Sequence, residues 1–217
     1  MLPTAVLIEI ICFIFAIIYL QRKRTGWYWY FVPFMFFIIV VEGTGYIMAA
    51  FFRMNNHWIY NIEMLGEILF IPWVFRQIFK EAEAKENIII ITGFIVLVIS
   101  FTIETIKNNL FIYNSFTYLV MSAVFIIYAG TYFYSLLKKS DPVELAKLVP
   151  LWIVAGIFIF YFAGTGVNVF FKQVMQINIA QGIPLRLIIF TVLNAILYGC
   201  WSYAFRCRHL QTISSSR

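Results

Sequence analysis

Apolar residues dominate the chain in runs too long for a soluble core. Seven runs stand out, over residues 2–20, 27–52, 57–79, 87–106, 113–137, 151–171 and 185–205. A helix that crosses a bilayer needs about 20 mostly apolar residues. Each run meets that length, and the third is the most polar because Glu63, Glu67 and Arg76 interrupt it. The connections between runs are short and polar, such as "QRKRTG", "RMNN" and "KKSDPVELAKLVP". The pattern predicts an all-α fold: a polytopic membrane bundle of seven transmembrane helices over residues 1–208, with a short, frayed polar tail over 209–217.

Composition agrees with that pattern. The chain has 217 residues, 63% of them apolar and 12% charged, with a mean hydropathy of +0.88. A soluble domain carries about 25% charged residues, so this chain has too little polar surface to cover a water-exposed fold. The net charge of +6 is explained by where it lies. With the N-terminus outside, twelve of the sixteen basic residues are cytoplasmic, among them Arg22, Lys23, Arg24, Lys80, Lys138, Lys139, Arg206 and Arg208. Arg53, Lys107, Lys172 and Arg186 are outside. Excess Lys and Arg in short loops marks the cytoplasmic side. The N-terminus is therefore expected outside and the C-terminus in the cytoplasm, and the basic charge does not imply nucleic-acid binding.

Local signals add detail. "WYWY" at residues 27–30 suits an interfacial aromatic anchor. Asp141 as N-cap, Pro142 as first helical residue and Glu144 as capping-box partner predict a short cytoplasmic helix that bends at Pro150 into the sixth span. Cys12, Cys200 and Cys207 form no disulfide framework.

Two "GTG" triplets, Gly43–Gly45 and Gly164–Gly166, lie in the second and sixth spans, both running from inside to outside. Helices 1–3 and 5–7 share an orientation about a single linking helix, which allows a parallel 3+1+3 repeat of the transporter type.

The chemistry concentrates in the carboxylates. Glu9, Glu42, Glu63, Glu67 and Glu104 all fall in the outer half of the membrane. Folding the second and third spans into a hairpin near Asn55 brings Glu42 level with Glu67, Gly45 with Gly66, and Tyr46 with Glu63. Glycines there let two backbones approach. Several ionised carboxylates cannot share a dry site, because each costs at least about 2.5 kcal/mol to bury near mid-membrane. At least one of Glu42, Glu63 and Glu67 is expected to be protonated, or a cation to be bound. Arg186, Asn168 and Asn194 are placed to line the same outer pocket. The candidate ligand-binding set is thus Glu42, Glu63, Glu67, Tyr46, Asn168, Arg186 and Asn194.

No catalytic motif appears, and no metal set or cofactor is expected. The seventh span has no lysine for a retinal Schiff base. The segment "RMNNHWIYNIEMLGEILFIPWVF", and Asn56, His57, Tyr60, Asn61 and Glu67 within it, resembles small bacterial seven-helix proteins and the membrane input modules of sensor histidine kinases. The resemblance implies a multi-pass protein of the bacterial plasma (inner) membrane with a sensory role. No output domain follows the seventh helix, so signalling would run through a separate cytoplasmic protein. The leading expectation is a receptor or sensor-like module whose outward acidic pocket takes a small ligand, a cation or protons. A small-solute or proton-coupled transporter is the alternative, followed by a structural subunit and, last, a lipid hydrolase.

Overall fold

The computed structural model describes residues 4–20, 25–81, 87–138, 144–170 and 184–214. It is all-helical across them. The seven helices are α1 (Thr4–Tyr19), α2 (Phe31–Ala50), α3 (His57–Glu81), α4 (Asn87–Asn108), α5 (Ser115–Leu137), α6 (Val149–Val169) and α7 (Leu185–Ser214). A 3-10 segment, Gly26–Tyr30, leads directly into α2. Five helices are long and apolar enough to cross a membrane: α2 with its 3-10 lead, α4, α5, α6 and α7. The α1 helix is apolar but shorter, with 16 residues.

The helices pack in sequence order, and α7 closes a ring against α1. A further contact between α3 and α5 leaves α4 on the outside of the ring. Burial follows this layout. Ten residues of α3 are buried, against three of α4. The helix with the most charge in its span is therefore the one most enclosed by protein. The outer surface is apolar, with Ile11, Phe36, Ile95, Ile103, Phe116, Phe162 and Val192 all exposed. A water-soluble protein rarely presents apolar surface on that scale, so these side chains suit lipid.

Lipid removes most of the hydrophobic drive between helices, and association then rests on close packing and polar ties. Both are present. Phe34 stacks on Phe70 at 3.9 Å, and Phe31 meets Phe70, Trp201 and Phe205 edge-on at 5.0–5.3 Å. These rings fill the bundle between α2, α3 and α7. On α4, a Cβ at Gly93 would overlap the Tyr128 ring and hydroxyl of α5. Tyr128 is 1% exposed and donates to the Ile90 carbonyl at 2.7 Å. Gly93→Val is expected to destabilise the fold by about 1–3 kcal/mol through overpacking. Thermal melting in detergent checks this, and Gly130→Val, at a glycine with open space around it, serves as the control.

Three sequence expectations meet a different local structure. The segment before α6 is a single 3-10 turn, Leu145–Lys147, followed by extended Leu148, and Pro150 sits in the first turn of a new helix. Proline suits that position because its missing N–H has no partner to lose there. Asp141, Pro142 and Lys139 lie outside the described residues, as do Arg22, Lys23, Arg24 and Lys172. The tail expected to fray continues α7 to Ser214. His209 packs on Tyr19 at 5.4 Å and Gln211 donates to the Lys147 carbonyl at 2.8 Å. Finally, the aromatic run at 27–30 does more than sit at an interface. Trp27 Nε1 and Tyr28 OH both donate to Glu81, at 2.7 and 3.1 Å.

Candidate functional site: a carboxylate layer at one end of the ring

The hairpin of α2 and α3 sets the site. Gly45 faces Tyr60, Phe34 faces Phe70 and Tyr30 faces Trp73. These pairs fold the hairpin about Phe52 rather than Asn55, because α2 ends at Ala50 and the link to α3 is partly extended. Glu42 is therefore level with Glu63, and Glu67 lies about 6 Å deeper along α3 at about 1.5 Å per residue. The two glycines are not level with each other. Each receives an aromatic side chain from the opposite helix: a Cβ on Gly45 would stand 3.2 Å from the Tyr60 ring and hydroxyl, and one on Gly66 would overlap Phe37. Asn56 Nδ2 also donates to the Gly45 carbonyl at 3.0 Å and ties the two ends together.

This register gathers four carboxylates. Glu63 stands near Glu42, Glu67 and Glu9, and Glu9 stands near Glu42. They come from α1, α2 and α3, all within roughly 15 Å of one end of the bundle. Glu9 is 1% exposed, and its Oε2 has no hydrogen-bond partner among the described residues. Glu67 Oε1 accepts a bond of 2.8 Å from Tyr161 OH of α6. Tyrosines surround these carboxylates. Tyr60 of α3 lies near Glu42, Glu63 and Glu9, Tyr118 of α5 near Glu67 and Glu63, and Tyr198 of α7 near all four. The Tyr118 hydroxyl is buried with no partner among the described residues. Three helices thus supply acid, and α3, α5, α6 and α7 supply phenol hydroxyls.

The other expected residues stand nearby in different roles. Tyr46 meets the Phe51 ring edge-on, and Tyr60 occupies the place beside Glu63 that the sequence suggested for Tyr46. Asn168 donates to the Gly164 carbonyl of its own helix at 3.0 Å. Asn194 is partly buried on α7. Arg186 is exposed over the Phe190 ring, and its charge acts on Tyr113 and Tyr118. Burial pushes the Tyr113 hydroxyl, in the link between α4 and α5, well above its ordinary value, with the charge of Tyr118 next. Glu104 does not join the layer. It caps α5, accepting from Phe116 N, Thr117 N and Thr117 Oγ1 at 3.1, 2.6 and 2.7 Å. A carboxylate at a helix N-terminus satisfies free N–H groups and complements the helix dipole.

The two GTG triplets bury different members. Gly45, the last of the first triplet, faces Tyr60, whereas Gly164, the first of the second, faces Tyr118 OH. Both central threonines bond back to their own helix, Thr44 to Val40 and Thr165 to Tyr161. Among the described residues, no group of three or more His, Cys, Asp or Glu side chains forms a set that could hold a metal ion. A groove of about 510 Å3 lies elsewhere, on the outer face of α2 and α3 between Phe37, Gly66, Phe70 and Trp73. No protein-family model, no curated protein and no solved structure matches the chain.

Proposed function

We propose that the protein is an integral membrane receptor or sensor-like module, with seven spans and the N-terminus outside, that binds a small cation in the Glu9–Glu42–Glu63–Glu67 layer. The observation that carries this reading is the proximity of four carboxylates from three helices to a layer of tyrosines, with Glu9 buried and its Oε2 unpartnered among the described residues. Such a layer is costly to leave charged and dry, and a cation relieves both the repulsion and the lost solvation. Tyrosine rings and hydroxyls suit a protonated amine, which they meet by cation–π contact and hydrogen bonds. The aromatic packing of Phe31, Phe34, Phe70, Trp201 and Phe205 beneath the layer favours binding without passage. The resemblance to kinase input modules supports a sensory role.

A transporter built on a 3+1+3 repeat is the second reading, supported by the buried glycine–tyrosine contact in each GTG helix. Native mass spectrometry of the gently extracted protein tests the first. The protein is sprayed alone and with methylammonium or choline, with sodium as the control, beside Glu42→Gln and Glu67→Gln. An adduct held by the wild type and lost from both variants is expected. Identical spectra for all three proteins with every probe would remove the cation site. Uptake of the bound cation into vesicles would favour the transporter.

A further inference from the structure

A second cavity lies at the opposite end of the bundle, far from the carboxylate layer. It measures about 240 Å3 and opens between the 3-10 segment before α2, the ends of α3 and α5, the start of α6 and the last turns of α7. Its polar wall carries Arg208, Gln211, Tyr28 and Glu81, and its apolar wall includes Leu148 and Pro150.

Arg208 is the unusual member. Its guanidinium lies 4.7 Å over the Tyr28 ring, which holds the plane of the group by cation–π contact. Its Nε is buried and has no hydrogen-bond partner among the described residues. A buried donor left unmade costs about 1–3 kcal/mol, so such an atom calls for an explanation. The nearby Glu81 does not supply one. Its two oxygens accept from Trp27 and Tyr28, and it forms no ion pair with Arg208 among the described residues. Lys147, next to Leu148 in the chain, does not line the cavity and pairs with Glu144 at 2.5 Å, which raises the Lys147 pKa through that hydrogen bond and charge. One guanidinium therefore lines a small cavity with its buried Nε unsatisfied among the described residues.

We propose that this cavity binds a phosphate group, with Arg208 as its principal ligand. A guanidinium fork matches phosphate oxygens in geometry and charge. The cavity is smaller than the roughly 300–1,000 Å3 typical of drug-sized ligands, so it suits a phosphate with a short polar substituent rather than a nucleotide. Its place at the end of an apolar bundle, with an apolar wall of Leu148 and Pro150, fits the phosphate of a phospholipid headgroup or a soluble phosphate ester.

The test uses the full chain in detergent. Wild type, Arg208→Gln, Arg208→Lys and Arg206→Gln are each titrated with phosphatidylglycerol, diacylglycerol, glycerol 3-phosphate and inorganic phosphate, and binding is read by native mass spectrometry. Arg206 is exposed, two residues away on the same helix, and controls for general attraction to anions. Wild type is expected to retain phosphatidylglycerol over diacylglycerol. Arg208→Gln should weaken that binding by roughly tenfold to a hundredfold, the usual worth of a charge-assisted bond. Arg208→Lys keeps the charge and the fold, and should lose several-fold because the fork is gone. Arg206→Gln should bind as wild type. Binding of glycerol 3-phosphate or inorganic phosphate, lost in Arg208→Gln, would identify a soluble source, and binding of the lipid alone a headgroup. Equal affinity for diacylglycerol, equal loss in Arg206→Gln, or unchanged binding in both Arg208 variants would overturn the proposal.

Discussion

Asn61→Leu is expected to cost about 3–5 kcal/mol of stability, more than most single substitutions in a membrane bundle. Asn61 is 0% exposed on α3. Its Nδ2 donates to the carbonyls of Leu110 and Ile112 at 2.8 and 2.7 Å, and its Oδ1 accepts from Asn114 N at 3.0 Å. One side chain thus satisfies three backbone groups in the link between α4 and α5. Leucine keeps the volume and leaves all three without partners. Each unmade buried group costs about 1–3 kcal/mol, and some of this is recovered if water reaches the link. The loss should spread beyond the link. Asn114 also donates to Thr105 at 2.8 Å and precedes α5, whose first turn is held by Glu104. Melting in detergent and hydrogen exchange at Leu110–Thr117 measure the effect. Asn61→Asp keeps the acceptor for Asn114 but sets a carboxylate oxygen against the two carbonyls and buries a charge, so it should melt no higher than the leucine variant. Melting of Asn61→Leu within 1 kcal/mol of wild type would show that the three bonds hold little.

That link shows what sequence reasoning reached and what it missed. Seven helices were legible as seven apolar runs, and five of them are long and apolar enough to cross a membrane. The depth of Glu42, Glu63 and Glu67 along their helices followed from helical rise and loop position, although the sequence set Glu42 level with Glu67 and the structure sets it level with Glu63. The register was not legible. A partly extended link of a few residues moves the fold point from Asn55 to Phe52 and turns two level glycines into two glycine–aromatic contacts. Glu9 stood out as an outer-half carboxylate, but nothing in the first span says that it faces the interior. Its partners come from residues more than thirty positions away. The tyrosines of α5, α6 and α7 were hidden for another reason. Thirteen tyrosines in an apolar chain look like interface packing until the ring closes. Helix α7 outran its apolar stretch because His209 and Gln211 find partners on α1 and before α6. These are tertiary contacts with no local signature.

The pair Glu42→Gln with Glu67→Gln should change binding and bare stability in opposite directions. Two of four groups that repel whenever more than one is ionised become permanently neutral, and both glutamines can still hydrogen-bond. Without added cation, the double variant is expected to melt at or above the wild type, because like charges in a low-dielectric layer repel. With cation the order reverses. A ligand present at a hundred times its dissociation constant stabilises the folded state by about 2.7 kcal/mol. Wild type should gain that shift with the cation that native mass spectrometry finds. The double variant should need roughly a hundredfold more, since each lost charge-assisted contact is worth about 1.5–3 kcal/mol and neighbouring losses do not add fully. Tyr161→Phe separates charge from positioning. It removes the donor 2.8 Å from Glu67 Oε1 and leaves every carboxylate in place. It should weaken binding several-fold if Tyr161 orients Glu67, with little effect on melting in the absence of cation. Lower melting of the double variant both with and without cation would mean that the carboxylates serve as hydrogen-bonded ties between α1, α2 and α3. The layer would then be part of the scaffold, and the receptor reading would lose its site.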